Sequence, residues 1–391
     1  MPALDTIQVL DFSRVLAGPY CAQLLGDYGA SVIKIEQPGT GDGTRAWGPP
    51  WVGDQSAYFL CANRNKRSLT LNLKSPEGVR IAQTLIEHCD VLVENFLPGT
   101  MADLGLGFER VHMLNPRLIY CSITGYGQTG PYRAEAGYDF MIQAQGGLMS
   151  ITGPAGEDGE PFKTGVALTD LLTGLSAANA ILAALHHRER TGLGQHIDLA
   201  LLDVTVAALI NVAHNYFATD QPPERFGNAH PNIVPYQSFA TRDGHIALAV
   251  GTDAQFTRLC VLLGRDDLAS DARFMTNPLR VQHRVALVPC LADAFVQRTT
   301  REWLMRIKPA GIPISAISDV PAVLNDEHVR ARGMVQTVEG VTLLGPVAKL
   351  SATPAGIFAR PPKLGEHTDD ILRALGYSAS DIAGLRHKRV V

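Results

Sequence analysis

Residues 7–36 read IQVLDFSRVLAGPYCAQLLGDYGASVIKIE, and this stretch decides the fold. Ile7–Asp11 has the apolar pattern of a strand, Pro19–Tyr28 that of a helix, and Ser31–Glu36 that of a second strand. Two strands joined by a helix predict parallel neighbours in one sheet, because a parallel pair needs a long crossover connection. We therefore expect an α/β fold built on a parallel sheet.

The same alternation continues to about residue 130. Pro76–His88 predicts another helix, and Asp90–Phe96 and Arg117–Thr124 predict further strands. These elements indicate a Rossmann-like large domain. Its glycine-rich turns, Gly39–Gly43 and Gly125–Gly130, lack the spacing of a dinucleotide-binding fingerprint, which argues against a nicotinamide cofactor.

The second half of the chain begins with two long apolar segments, 165–188 and 198–218, which predict buried helices. A Gln-Pro-Pro-Glu break follows the second segment and marks a new unit. We predict a large domain over 1–222, a smaller α/β domain over 223–330 and a C-terminal segment over 331–391.

Composition and charge exclude several classes of protein. The 391 residues have a net charge of −4, so no global positive field is available for nucleic acid or an acidic membrane. The six cysteines are scattered without a Cys-x-x-Cys pair, which indicates neither a disulfide framework nor a metal site. Asp5 and Asp11 stand where a signal peptide would have its apolar core. We expect a cytoplasmic protein that binds no metal, nucleic acid or membrane.

Asp170 is the only ionisable residue between Lys163 and His186. A lone carboxylate among small and apolar residues is costly to bury unless it has a partner or a function. One hypothesis is that Thr169 or Asp170 caps the start of a buried helix. The other is that Asp170 is a nucleophile that forms acyl intermediates in a dry pocket. The segment alone leaves both hypotheses open.

One basic cluster and one polar strand end are the remaining candidates. Arg64, Lys66 and Arg67 are either part of a solvated loop or a clamp for a polyanion such as phosphate. Asn95 follows a predicted strand, where open α/β sheets bind ligands, or it is simply a turn residue before Pro98.

Several sequence blocks, in order along the chain, resemble the class III CoA-transferases, a family that also includes acyl-CoA racemases. The blocks are VLDFSRVLAGPYCAQLLGDYGASVIKIEQPGTGD, NRNKRSLTLNLKSPEG, DVLVENFLPG, YCSITGYGQTGP, AGYDF, GVALTDLLTG, RTGLGQHIDLALLD and LGEHTDDIL. The resemblance extends essentially from end to end. It implies an interlocked homodimer, a segment 331–391 that returns to the large domain, and acyl-CoA as a substrate without a tightly bound cofactor.

The resemblance also implies roles for individual residues. Asp170 aligns with the catalytic aspartate of the family. The residues implied to contact coenzyme A or to line the thioester site are Leu16, Ala17, Leu71, Asn72, Leu73, Lys74, Asn95, Phe96, Tyr138 and Asp139. Gln37 and Asp103 stand where some members have nucleotide-binding arginines, so we expect Arg64, Lys66 or Arg67 to compensate.

Tyr138 separates the chemistries within the family. The racemases have a histidine at this position that acts as a base. A tyrosine side chain ordinarily has a pKa of about 10, so it is a poor base at neutral pH. We therefore expect a CoA-transferase, with an acyl-CoA racemase or a non-catalytic CoA-binding protein as the alternatives. The resemblance implies an anhydride of Asp170 with the acyl group and then a thioester of Asp170 with CoA.

The likeness is greatest to succinyl-CoA-dependent transferases that act on dicarboxylates, such as glutarate, hydroxymethylglutarate or itaconate. A dicarboxylate needs a cation for its distal carboxylate, and the candidates are Arg14, Arg45 and Arg280. His230 lies in a segment that resembles a family lid loop, so we also expect it near the pocket.

Overall fold

The computed structural model describes residues 1–156 and 159–391. The strands are β1 (Gln8–Asp11), β2 (Ser31–Glu36), β3 (Trp51–Val52), β4 (Gln55–Ser56), β5 (Lys66–Thr70), β6 (Val91–Glu94), β7 (Ile119–Thr124), β8 (His196–Ala200), β9 (Tyr236–Ala240), β10 (His245–Ala249), β11 (Ile314–Ala316), β12 (Val335–Val338) and β13 (Val341–Leu344). The helices are α1 (Ala17–Asp27), α2 (Ala57–Leu60), α3 (Pro76–His88), α4 (Thr100–Asp103), α5 (Phe108–Leu114), α6 (Asp139–Gln145), α7 (Leu168–Thr191), α8 (Leu201–Ala208), α9 (Ile210–Thr219), α10 (Asp253–Leu263), α11 (Asp266–Ser270), α12 (Asn277–Gln282), α13 (Arg284–Phe295), α14 (Thr300–Ile307), α15 (Val320–Asn325), α16 (Glu327–Ala331), α17 (Thr368–Ala374) and α18 (Ala379–His387).

In the described part of the chain, six strands form one parallel sheet in the order β5-β2-β1-β6-β7-β8. This is a doubly wound order, because the chain moves outward from β1 in one direction and then, from β6 onward, in the other. The predicted α/β fold with a parallel sheet is confirmed. Ligands of such sheets bind at the carboxyl ends of the strands where the direction reverses, here between β1 and β6.

Each face of this sheet is covered by helices and has its own apolar core. Successive residues of β1 show the division, because side chains alternate between the faces of a strand. Val9 packs with α1 and α7, whereas Leu10 packs with α3 and α5. The C-terminal helices α17 and α18 contribute Ile371 and Ile382 to the core that contains Leu10. Burial on both faces explains why the strands read as continuous apolar runs.

The chain divides into two compact units. The first comprises residues 1–148, 164–208 and 326–391, and the second comprises 149–163 and 209–325, apart from residues 157 and 158. The second unit has an antiparallel sheet, β11-β10-β9, whose core includes Phe256 and Trp303. It is thus a smaller α/β unit, as expected. The predicted domain limits at 222/223 and 330/331 stay predictions. Both lie C-terminal to the nearest limits of the two units, at 208/209 and 325/326.

The prediction of a helix over residues 198–218 is wrong for its first residues. Residues His196–Ala200 form β8, which pairs with β7 at the edge of the parallel sheet. The helical part follows as α8 and α9, with a bend of 67° between them. A continuous apolar run is typical of both a buried strand and a buried helix, so periodicity did not separate the two.

Helix α7 has the length and composition of a membrane span, and so has the bent pair of α8 and α9. In α7, however, Ala177 and Ile181 are fully buried in the core shared with α1 and the sheet. A helix whose apolar residues pack on a sheet needs no lipid to cover them. The placement of α7 agrees with the predicted buried helix.

Candidate active site

The loops at the carboxyl ends of the parallel strands enclose a groove with two connected pockets. The pocket of about 430 Å³, called the aspartate pocket here, contains Asp139 and Asp170. The neighbouring pocket of about 350 Å³, called the side pocket, lies beyond the ends of β2 and β5. Arg14 and Phe96 line both pockets, so the two form one groove.

The sequence-predicted residues divide between these pockets. The aspartate pocket is lined by Arg14, Leu16, Ala17, Asn95, Phe96, Tyr138, Asp139 and Asp170. The side pocket is lined by Arg14, Leu71, Asn72, Leu73, Lys74 and Phe96. These residues come from segments far apart in sequence, and the sheet topology brings them to one edge.

The start of α7 positions Asp170. The helix begins at Leu168, its N-cap residue is Ala167, and no side chain of its own caps it. Instead, Oδ1 of Asp139 accepts the N–H of Thr169 at 2.9 Å and that of Asp170 at 3.3 Å. The hypothesis that Thr169 or Asp170 caps the helix is therefore wrong, and the Asp170 carboxylate is not used for capping.

Asp170 is only 9% exposed. Within residues 1–156 and 159–391, no hydrogen bond reaches its carboxylate. Burial, and secondarily the nearby carboxylate of Asp139, raise the pKa of Asp170 to about 7. A carboxylate in this environment is more basic than one in water, and its oxygens remain available to a ligand. These are the properties of a nucleophile or a base.

Asp139 is held in place from several sides. Its Oδ2 accepts the amide Nε2 of Gln143 at 2.7 Å, while its Oδ1 caps α7. The Gln143 side chain is fully buried, and its Oε1 accepts the N–H of Thr164 at 3.0 Å. The carboxylate therefore stays beside Asp170, where it opposes the ionisation of that residue.

Asn95 lines the aspartate pocket and binds the main chain of Arg14, which lines both pockets. Its Oδ1 accepts the Arg14 N–H at 2.8 Å, and its Nδ2 donates to the Arg14 carbonyl at 2.7 Å. The Arg14 guanidinium lies 4.7 Å from the centre of the Phe96 ring. Both hypotheses for Asn95 thus have a basis, because it shapes a turn and also lines the groove.

Two aromatic residues near Asp170 were missed in the sequence. Trp47 lines the aspartate pocket and packs edge-on against Tyr58, with ring centres 5.0 Å apart. Burial, and secondarily the charge of Asp170, raise the pKa of Tyr58 to about 12. The signal available in the sequence was Trp47 itself, a large aromatic residue in the proline-rich turn TRAWGPPW.

The structure does not support the predicted phosphate clamp. Arg64 is buried and pairs with both oxygens of Asp27, at 2.8 and 2.6 Å. Lys66 is buried as well, and its Nζ donates to Asp11 at 2.8 Å. Arg67 lines a different pocket, together with residues that precede β2. The first two are occupied by internal carboxylates, so they have structural roles and do not compensate for missing arginines.

Two of the candidates for the distal carboxylate also have internal partners. Arg45 binds both oxygens of Glu36, at 2.8 and 2.7 Å. Arg280 is fully buried in the second unit, where its Nη2 donates to Asp253 at 2.8 Å. His230 belongs to the second unit too, and its Nδ1 accepts the N–H of Asn232. Arg14 is exposed, and no ion pair engages it in the described residues.

Comparison with known proteins agrees with this geometry. The family described as CoA-transferase family III matches residues 4–368. A succinyl-CoA:glutarate CoA-transferase of Mus musculus is 46% identical over 95% of this chain and 86% of its own length. A succinate–glutarate CoA-transferase of Agrobacterium fabrum is 45% identical over 96% of each chain. The crystal structure of a CAIB/BAIF family protein from Brucella suis is similar, with a TM-score of 0.86, 45% identity, and 96% and 99% of the two chains covered.

Proposed function

The chain belongs to CoA-transferase family III, and we propose that Asp170 carries first an acyl group and then CoA as CoA passes from succinyl-CoA to a dicarboxylate such as glutarate. The chain is an enzyme that transfers CoA between an acyl-CoA and a dicarboxylate. The observation that supports Asp170 is its buried carboxylate, which has no donor within the described residues and faces a groove with two connected pockets.

In the first half of the reaction, an Asp170 oxygen attacks the carbonyl carbon of succinyl-CoA. The C–S bond breaks, CoA leaves as the thiolate, and a mixed anhydride remains. The thiolate then attacks the aspartyl carbonyl, the anhydride C–O bond breaks, and succinate leaves. Asp170 is now joined to CoA through a thioester, and no proton has entered or left.

In the second half, the acceptor carboxylate attacks the aspartyl thioester and displaces the CoA thiolate. A new anhydride forms between Asp170 and the acceptor. The thiolate attacks the acyl carbonyl of the acceptor, which gives the new acyl-CoA and restores the Asp170 carboxylate. Both intermediates hydrolyse in water, so the buried setting of Asp170 favours transfer over loss of CoA.

Each attack places negative charge on a carbonyl oxygen, which needs donors. Helix α1 begins at Ala17 in the aspartate pocket and has no side-chain cap. The N–H groups in the first turn of a helix have no partner within the helix, and the helix dipole favours an anion there. We assign the oxyanion to this turn of α1.

Arg14 lies where the groove passes from one pocket to the other. With the thioester at Asp170, the rest of CoA extends through this junction into the side pocket. Arg14 lines both pockets, whereas Asp170 lines only the aspartate pocket. We therefore assign Arg14 to the CoA diphosphate, with the exposed Lys74 of the side pocket as a second cation.

The homodimer and the cytoplasmic location belong to the proposal too. Helix α9 has apolar side chains but none that is buried, and Ile210 and Phe217 are 68% and 74% exposed. An apolar helix without a buried face is typical of an interface between subunits.

The test of the function is an incubation of the enzyme with succinyl-CoA and glutarate. We expect glutaryl-CoA and succinate in equal amounts. Loss of chirality at the α-carbon of a branched acyl-CoA, without acyl exchange, would instead identify a racemase. Binding of CoA without either reaction would identify a non-catalytic CoA-binding protein.

A further inference from the structure

Glu94 is a buried acid that the proposed reaction does not use. It is the last residue of β6 and only 4% exposed. Burial raises its pKa to about 7. A carboxylate in this position is costly to the fold unless nearby donors compensate its charge.

Two polar side chains, on the next two strands of the sheet after β6, lie beside Glu94. Ser122 of β7 is paired in register with Glu94 and, against the larger effect of burial, lowers the pKa of its carboxyl. The Ser122 Oγ also lies 2.9 Å from Nε2 of His196 on β8. The imidazole stacks on Phe108, with ring centres 5.1 Å apart, which fixes its plane.

Glu94 also contacts the wall of the groove. The Phe96 N–H donates to Oε2 of Glu94 at 2.9 Å. The Phe96 ring in turn lies against the Arg14 guanidinium, and Asn95 binds the Arg14 main chain. Glu94 therefore holds the main chain at Phe96, which lines both pockets.

We propose that Glu94 is a positioning residue for acyl-CoA, whose carboxylate holds the Phe96 amide and thereby the groove wall that CoA contacts. The inference rests on the proposed function, because it takes acyl-CoA as the ligand of the groove. A charged acceptor binds an N–H group more strongly than a neutral one. The ionised form of Glu94 therefore holds the wall more firmly than the protonated form.

The surroundings of Glu94 determine how its charge responds to pH. A cavity of about 460 Å³ opens beside it. The titratable and charged groups that line this cavity with Glu94 are Tyr120 on β7, His196 on β8, and Glu109 and Arg110 on α5. Asp198 on β8 is paired in register with Ser122. Burial lowers the pKa of His196, with Asp198 opposing the shift, and burial raises the pKa of Tyr120. Burial therefore favours the neutral form of both groups.

The experiment is calorimetric titration of CoA into two proteins, Asp170→Asn and the double variant Asp170→Asn/Glu94→Gln. The first substitution removes the other group that titrates near pH 7. Glutamine keeps the shape and one acceptor oxygen but has no charge. At pH 8 we expect the second substitution to weaken CoA binding about three- to tenfold, and at pH 6, where Glu94 is itself protonated, we expect equal binding.

Glu109→Gln in the same background is the matched control, because it removes an exposed carboxylate of the same cavity. It should leave CoA binding unchanged at both pH values. If Glu94→Gln does not fold, Ser122→Ala replaces it, because Ser122 lowers the pKa of Glu94 and its loss shifts the pH at which CoA affinity changes to a higher value. Equal weakening by Glu94→Gln at both pH values, or none at either, overturns the inference. Failure of both proteins to bind CoA overturns the proposed function and the inference with it.

Discussion

Replacing Asp170 with asparagine should abolish transfer and at the same time stabilise the fold, by an amount that grows with pH. Its pKa is raised from 3.8 to about 7 in the folded protein, mainly by burial. Ionisation of this group therefore opposes folding. The two pKa values differ by about 3, and each pH unit corresponds to about 1.4 kcal/mol. Ionisation of Asp170 therefore lowers the free energy of unfolding by about 4 kcal/mol.

The direction of this pH dependence follows from proton binding in the folded and the unfolded chain. Below about pH 4 the carboxyl is protonated in both the folded and the unfolded chain, so Asp170 has no ionisation penalty. Between about pH 4 and 7 the unfolded chain loses the proton while the folded protein retains it, and the stability of the wild type falls relative to the variant. Above about pH 7 the difference is constant at its full value.

Urea unfolding of both proteins, from about pH 5 to about pH 8, measures this difference. We expect Asp170→Asn to be more stable than the wild type by a margin that increases across this range. Asp5→Asn, which removes an exposed carboxylate, is the control and should show no such trend. A margin that is constant or decreases with pH would refute the claim that burial raises the pKa of Asp170.

Activity should depend on the same ionisation, since the nucleophile must be deprotonated: kcat/KM for succinyl-CoA should fall about tenfold per pH unit below about pH 7. Asp139→Asn removes the charge beside Asp170 and should move this limb of the pH–rate profile to lower pH. The variant should also be less stable by about 1 kcal/mol, because the amide nitrogen of asparagine cannot accept the hydrogen bond from Gln143. An unshifted limb would mean that Asp139 does not influence the nucleophile. Arg14→Gln should raise KM for succinyl-CoA about tenfold and leave KM for succinyl-pantetheine, which lacks the diphosphate, unchanged. Arg67→Gln, in a different pocket, is its control, and an equal effect of Arg14→Gln on both thioesters would reject the diphosphate assignment.

Much of the parallel sheet was predictable because its pattern is local. Ser31–Glu36 and Pro76–His88 have the bounds that their apolar periodicity indicated. Strand β8 was not predicted, because a short edge strand and the helix that follows it share one apolar run. Local patterns give the type of an element best when turn residues separate it from the next.

The family resemblance indicated residues from several segments that line the aspartate pocket, whereas the pattern within single segments indicated only part of the site. Asp170 was identified from its apolar surroundings, but its neighbour Asp139 lies 31 residues away in sequence. The basic cluster was misinterpreted for the same reason, because Arg64 finds Asp27 across 37 residues. A sequence shows which charges a segment has, whereas the fold decides which of them are already paired.

The central claim is that Asp170 becomes acylated during turnover. Hydroxylamine added to the enzyme during reaction with succinyl-CoA, followed by mass spectrometry of its peptides, tests this directly. We expect a hydroxamate at Asp170, and none in the Asp170→Asn variant. Continued formation of glutaryl-CoA with Asp170 unmodified, or with the modification on another residue, would contradict the account.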